Sequence, residues 1–371
     1  MAEPLTFLRS DEQQMLGTAL RDMLEATVDM DRTRELSLTG DAFDRPVWAG
    51  LRDMGLVGLT VDDSFGGAGS SISDLAVAFE ELGRVVAAVP LLSTVMAMTL
   101  IEQLGSEAQK SALLPALVSG ERIGTVGIYE AAHGSSGAGM QTVAEQTPTG
   151  WRLVGQKRWV TDLPNADVVL VVASVDDGLG VFVVDTDDDG CDRTLLSALD
   201  PTRPLGVCTL AVDLEEDARL GDEADEAVAS VVDLAVTLMA AEQVGGAQRC
   251  LESAVDYAST RFQFGRAIGS FQAVKHKCAD MLVAVEHARS VASHASATFA
   301  TDESNVAVPL AKSVCTDAYL LAASENIQIH GGIGFTWEHD AHLYFKRAKA
   351  DALLFGGVDH YRDRLGAAIG V

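Results

Sequence analysis

The sequence is poor in cysteine, in positive charge and in the short motifs that mark phosphate, metal or hydrolase sites. Five cysteines (Cys191, Cys208, Cys250, Cys278 and Cys315) lie scattered along 371 residues. No CxxC joins any of them, so neither a disulfide framework nor a zinc site is expected, and they read as small buried apolar side chains. Lys and Arg number 27 against 54 Asp and Glu, a net charge of −27. That balance excludes nonspecific binding to nucleic acid or to an anionic membrane, and any polyanionic ligand must find a local basic pocket. Runs such as "DTDDDG" and "LEEDARLGDEADE" read as solvated loops. No uninterrupted run reaches the roughly 18 apolar residues of a membrane span. The start "MAEPLTFLRSDEQQ" lacks the basic and apolar regions of a secretory signal, so a cytoplasmic protein is expected.

The nucleotide and hydrolase signatures are missing too. "GGAGSS" and "GGIGFT" complete neither GxGxxG nor GxxxxGK[ST] between a strand and a helix. There is no HExxH and no GxSxG elbow. His339 and His342 stand three apart on a predicted helix, and no metal site is expected from them.

What is present falls into three zones. Residues 1–121 carry helical periodicity, with Leu16, Leu20 and Leu24 at four-residue steps along "DEQQMLGTALRDMLEATV". Residues 122–215 change character: "GTVGIYE", "TVAEQ", "WRLVGQKRWVT", "DVVLVVAS" and "GVFVVDT" are short, β-rich runs separated by turn signals. Closely spaced strands of this kind predict an antiparallel sheet or barrel, not a parallel nucleotide-binding sheet. Residues 216–371 return to helices, as in "VGGAQRCLESAVDYASTR". The expected class is α+β, mostly α.

Two glycine-bearing corners interrupt the last zone. In "RFQFGRAIGSFQAVKHKCADM" (Arg261 to Met281), Arg261 and Arg266 offer fork-shaped donors suited to phosphate, and Phe264 offers a flat apolar face. Gly265 allows close backbone approach, and Gln272 opens the next helix. In "QIHGGIGFTWEHD" (Gln328 to Asp340), Gly331 fits the left-handed residue that ends a helix. Taken alone, both corners read first as plain interhelical turns that need no ligand.

Together with the strand insert they resemble the acyl-CoA dehydrogenase family along nearly the whole chain. "RFQFGRAIGSFQAV" is similar to that family's Arg-x-x-Phe-Gly…Gln-x-Val signature, and "QIHGGIGF" to its Gln-x-x-Gly-Gly-x-Gly-Phe signature. "GIYEAAHGSSG" and "GQKRWVTDLPNADVVLVVA" resemble its strand segments more loosely, and "MGLVGLTVDDSFGGAGSSISDLAVAFEELGR" its N-terminal domain. The resemblance implies an N-terminal helical domain, a middle antiparallel β-barrel and a C-terminal four-helix bundle, with FAD held between barrel and bundle. Trp159 and Thr161 would face the isoalloxazine, with Tyr129 and Ser135 beside them. Tyr129 stands where the family has Thr. Arg261, Phe264, Gln272, Gln328, Gly331 and Gly332 would cradle the diphosphate and adenine of a neighbouring subunit's FAD, which implies a dimer or tetramer. The implied reaction converts an acyl-CoA to its 2-enoyl-CoA, with an electron-transfer flavoprotein as acceptor.

The base departs from the pattern. The two positions from which the family takes its glutamate correspond to Gly356 and Ala235. Glu242, seven residues beyond Ala235, lies about 20° round the same helix face and roughly 10 Å along it. It is the candidate base, with Asp359 behind it, and a structural ion pair is its alternative role. Three readings follow: a dehydrogenase with an atypical base, an incomplete subunit sharing a flavin site in a hetero-oligomer, or another flavin reaction such as oxidation by oxygen.

Overall fold

A computed structural model describes residues 9–39, 43–131, 139–176 and 178–371. In chain order, helices α1 (Asp11–Thr27), α2 (Met30–Thr39), α3 (Arg45–Asp53), α4 (Ile72–Arg84), α5 (Leu91–Leu104) and α6 (Glu107–Val118) come first. Strands β1 (Gly124–Gly127), β2 (Val143–Thr147), β3 (Gly150–Thr161), β4 (Val168–Val175), β5 (Gly178–Asp185), β6 (Cys191–Leu195) and β7 (Leu205–Glu215) follow. Helix α7 (Ala224–Thr260) leads to the two-residue strands β8 (Phe262–Gln263) and β9 (Arg266–Ala267). Helices α8 (Gln272–Ala297), α9 (Ser304–His330), α10 (Ala341–Asp351) and α11 (Val358–Ile369) complete the chain.

The chain divides into two compact units that cross the three zones of the sequence. The sheet unit comprises Asp31–Ser71 and Ala88–Leu234; the helical unit comprises Met1–Met30, Ile72–Ala87 and Ala235–Val371.

In the sheet unit the strand order is β1-β4-β2-β3-β7-β6, with β5 paired to β4. The expectation of a purely antiparallel sheet is corrected here. β1 runs parallel to β4, and β2 meets β4 in parallel at Val143 and Ser174. β1 enters from a helix, not from a hairpin, so no tight turn forces it to run antiparallel. β4 reads "VVLVVASV" with its first six residues buried, the near-continuous apolar run of a strand covered on both faces. Leu153, Val169, Val171, Phe182, Cys208 and Leu210 form this unit's core. β6 and β7 escape the sequence reading because β6 exposes four of its five residues and β7 dilutes its alternation with Gly, Cys and Thr.

The helical unit begins with a capping box. Ser10 Oγ accepts from Gln13 N, and the Gln13 side chain accepts from Ser10 N, both at 3.1 Å. α8 packs along α9, while α10 and α11 also pack on α9. Alanines line much of the interior, among them Ala240, Ala288, Ala292, Ala311 and Ala318. Where α4 crosses α7, a Cβ on Gly83 would lie 2.0 Å from the Glu242 carbonyl oxygen, and one on Gly245 would lie 1.8 Å from that of Glu80. Gly83 and Gly245 are thus required by backbone-to-backbone helix packing, whereas a Cβ on Gly246 would lie 2.4 Å from the Tyr319 ring. α7 and Ser304–Phe335 are long and apolar enough to cross a membrane by length and composition, and most of each is buried. A helix apolar all round is a core helix when its surface is covered in this way.

Candidate functional site

In the sheet unit, the β3–β7 ladder is regular from Gly150 to Lys157, breaks, and resumes at Val160 opposite Gly206. Within this bulge Trp159 takes φ +55° and turns outward, 44% exposed. A non-glycine residue in the left-handed region is uncommon and is a recurrent feature of functional sites. The Arg158 guanidinium lies 5.8 Å from the Trp159 ring centroid. Thr161 is buried, and its carbonyl accepts from Thr125 Oγ1 at 2.6 Å. Tyr129 is half-buried; its carbonyl accepts from Arg158 N at 2.9 Å. Burial, and then the charge of Asp233, pushes the Tyr129 phenol well above its ordinary value. Ser135 lies outside the described residues.

In the helical unit, α7 ends at the first glycine corner. Arg261 N donates to Tyr257 O, and Ile268 N to Arg261 O, each at 2.8 Å. β8 and β9 form a tight hairpin whose central residues, Phe264 and Gly265, have φ +51° and +78°. Positive φ at both positions is the geometry of a type I′ turn. Phe264 is therefore held out at the tip, 91% exposed. Arg266 covers the Phe271 ring at 4.0 Å, whereas the exposed Arg261 side chain has no partner among the described residues. Gln272 and Gln328 are exposed as well. α9 ends at Gly331, with φ +65°, and a Cβ on Gly331 or Gly332 would meet nothing within 4 Å.

These residues fit a dinucleotide cofactor. A free guanidinium suits a diphosphate, exposed aromatic faces suit flat rings, and open glycines admit a ligand against backbone. The structure brings Arg261, Phe264, Gln328, Gly331 and Gly332 to one end of the helical unit, because the Tyr257 ring stacks on His330, the residue before Gly331.

The positions of the base give a different outcome. Gly356 has φ +109° in a fixed loop: Lys312 Nζ donates to Asp351 O at 2.6 Å and Leu354 O at 2.9 Å, and Tyr361 OH donates to Phe355 O at 2.8 Å. Ala235 is fully buried. Glu242 is 3% exposed and forms an ion pair with the equally buried Arg347. That contact is the structural ion pair named above as the alternative role of Glu242, and it matches the carboxylate's charge inside the helical unit. Asp359 is exposed and faces Arg362 at 3.5 Å. The signal for Arg347 was its place in "YFKRAKAD", four residues before buried Asp351 and three after buried Tyr344.

Sequence reasoning also missed Lys157 and Glu130. They form a buried pair at 2.7 Å directly before the bulge that presents Trp159. A lysine alternating with buried positions in "WRLVGQKRWV" was the available clue.

Three family models match the chain: the acyl-CoA dehydrogenase N-terminal domain at residues 10–121, the middle domain at 125–213 and the C-terminal domain at 228–370. The chain is 34% identical to acyl-CoA dehydrogenase IpdE2 of Mycobacterium tuberculosis over 349 residues, 93% of each protein. It superposes on a chain of the ChsE4-ChsE5 complex of the same organism with a TM-score of 0.90 at 30% identity, covering 99% of both. A glutaryl-CoA dehydrogenase of Mycobacterium smegmatis gives a TM-score of 0.91 at 28% identity, covering 98% of this chain and 96% of that one.

Proposed function

The chain belongs to the acyl-CoA dehydrogenase family, and we propose that it is a flavin-holding subunit that lacks its own base. Members of this family are FAD-dependent oxidoreductases acting on CH–CH bonds of acyl-CoA thioesters. In this reading the proton-abstracting carboxylate belongs to a second, different chain of the same oligomer. The observation that carries it is the buried Glu242–Arg347 pair, which engages the candidate carboxylate, while the family positions hold Ala235 and Gly356.

Each remaining residue has a binding or orienting task. Trp159 would lie against one side of the isoalloxazine, and Thr161 would meet its polar edge. Arg261 would neutralise the diphosphate, with Phe264 against the adenine side and Gln272 and Gln328 as neutral donors. Gly331 and Gly332 would let the dinucleotide approach the backbone. When bound, FAD supplies the hydride acceptor for the β-carbon of the thioester. The protein's contribution is to orient the acyl-CoA and to exclude water. Hydrogen bonds to the thioester carbonyl would make its α-proton acidic enough for a carboxylate to remove. An electron-transfer flavoprotein would then accept the electrons. That the ChsE4-ChsE5 structure is a complex of two differently named chains supports a mixed assembly.

Co-expression tests the reading. The chain produced with an acyl-CoA dehydrogenase homologue that carries the family glutamate should purify as a mixed oligomer with bound flavin, measured by native mass and visible absorption. A homo-oligomer that ignores every such homologue yet dehydrogenates acyl-CoA by itself would contradict it.

A further inference from the structure

Two opposite buried charges of the sheet unit meet directly before the bulge. Lys157 is 0% exposed and Glu130 5% exposed, with Nζ and Oε1 at 2.7 Å. A buried ion pair is favourable only where further hydrogen bonds fill its remaining positions. Here they do. Glu130 Oε1 also accepts from Thr142 N at 2.9 Å, Oε2 accepts from Gln141 N at 2.7 Å, and Lys157 Nζ also donates to Ile128 O at 3.3 Å. Burial alone would raise the Glu130 carboxyl, but the bonds from Lys157 and from residues 141 and 142 bring it down to about 2. Burial also pulls Lys157 below its ordinary value in spite of Glu130.

The pair thereby ties together three stretches of chain: the exit from β1, the entry to β2, and β3. The lysine stem lies over Gly127, where an added Cβ would sit 3.1 Å from Lys157 Cγ. Lys157 is the last ladder residue before the bulge, and Val160 and Thr161 resume the ladder beyond it. Trp159 is therefore clamped from both sides. A left-handed non-glycine residue is disfavoured and persists only where its surroundings over-determine it.

We propose that Lys157 and Glu130 are a positioning pair: by anchoring β3 directly before the bulge, they set the angle at which Trp159 and Thr161 meet the flavin. Neither residue touches the cofactor; both act through Trp159. The inference rests on the reading of Trp159 and Thr161 as flavin contacts.

The test compares Glu130→Gln, Lys157→Met, their double variant and Trp159→Ala, each in the assembled flavin-loaded oligomer. FAD is removed and titrated back, the visible circular dichroism of the bound flavin is recorded, and far-ultraviolet circular dichroism checks the fold. Lys157→Met leaves a carboxylate buried; if it fails to fold, Glu130→Gln, which keeps the shape and an acceptor, and the uncharged double variant decide. The expected result is a fold like that of wild type, at least a tenfold weaker Kd for FAD and an altered visible dichroic band in every folded pair variant. Folded pair variants with wild-type affinity and dichroism, alongside an impaired Trp159→Ala, would overturn the positioning role alone. If Trp159→Ala also binds FAD with unchanged affinity and spectrum, the flavin-contact reading falls first and the inference with it.

Discussion

The ring of Tyr257 stacks on that of His330, with centroids 4.3 Å apart and planes 27° from parallel. This contact joins the end of α7 to the end of α9. Arg261 begins one turn beyond Tyr257, and Gly331 follows His330 directly, so the stack holds both glycine corners together. His330 is kept in place by Nδ1 on Asn326 O at 2.8 Å and by the ring of His339 at 4.3 Å.

Removing the stack should loosen the cofactor corner without touching any residue assigned to it. Tyr257→Ala is expected to lower stability by about 1–3 kcal/mol, as aromatic contacts of this size do. FAD affinity should fall at least tenfold with it. Calorimetry and flavin titration check this; full affinity in the variant would mean that the two corners are held by other contacts.

The Glu242–Arg347 pair should behave as a structural ion pair. Glu242→Gln or Arg347→Met alone leaves an unmatched buried group, at a cost of about 3–5 kcal/mol. Glu242→Leu combined with Arg347→Met should recover most of that loss. Denaturant melts of the three variants give the answer. A stable Glu242→Gln protein that has lost only acyl-CoA reactivity would restore Glu242 as the base.

Glycines of the two regions should differ sharply in tolerance. Gly245→Ala drives a methyl into the Glu80 carbonyl oxygen and is expected to cost about 3 kcal/mol. Gly332→Ala meets open space and should leave the melting temperature within a degree or two. Its flavin affinity should nevertheless drop, because the methyl occupies the approach to the backbone.

Acid should act through Glu130. Its carboxyl lies at about 2 in the folded chain against 4.5 ordinarily. A depressed carboxyl contributes stability that is full above the unfolded value and lost as pH falls through the folded one. The stability advantage of wild type over Glu130→Gln should therefore shrink by about 3 kcal/mol between pH 5 and pH 2. A pH-independent difference across that window would show that the carboxylate is not the stabilised species.

Local signals were legible in the sequence, and long-range pairings were not. The strand runs "WRLVGQKRWVT" and "DVVLVVAS" announced β3 and β4, because their composition alone distinguishes strand from helix. The parallel partnership of β1 and β4 was hidden, since strand direction depends on the route of the connecting chain and not on the residues in it. The glycine corners were visible as breaks in helical rhythm, yet the hairpin tip that exposes Phe264 follows from two positive φ angles that "FG" only suggests. Glu242 looked like an available acid because Arg347 lies 105 residues away, and no local pattern foretells that pairing. Lys157 and Glu130 escaped for the same reason.

The most direct measurement is anaerobic titration of the flavin-loaded chain with acyl-CoA, following the visible flavin absorption. The chain alone is expected to keep its colour, and the chain assembled with a partner that carries the family glutamate is expected to bleach. Bleaching by the chain alone would contradict the absence of a base in this subunit.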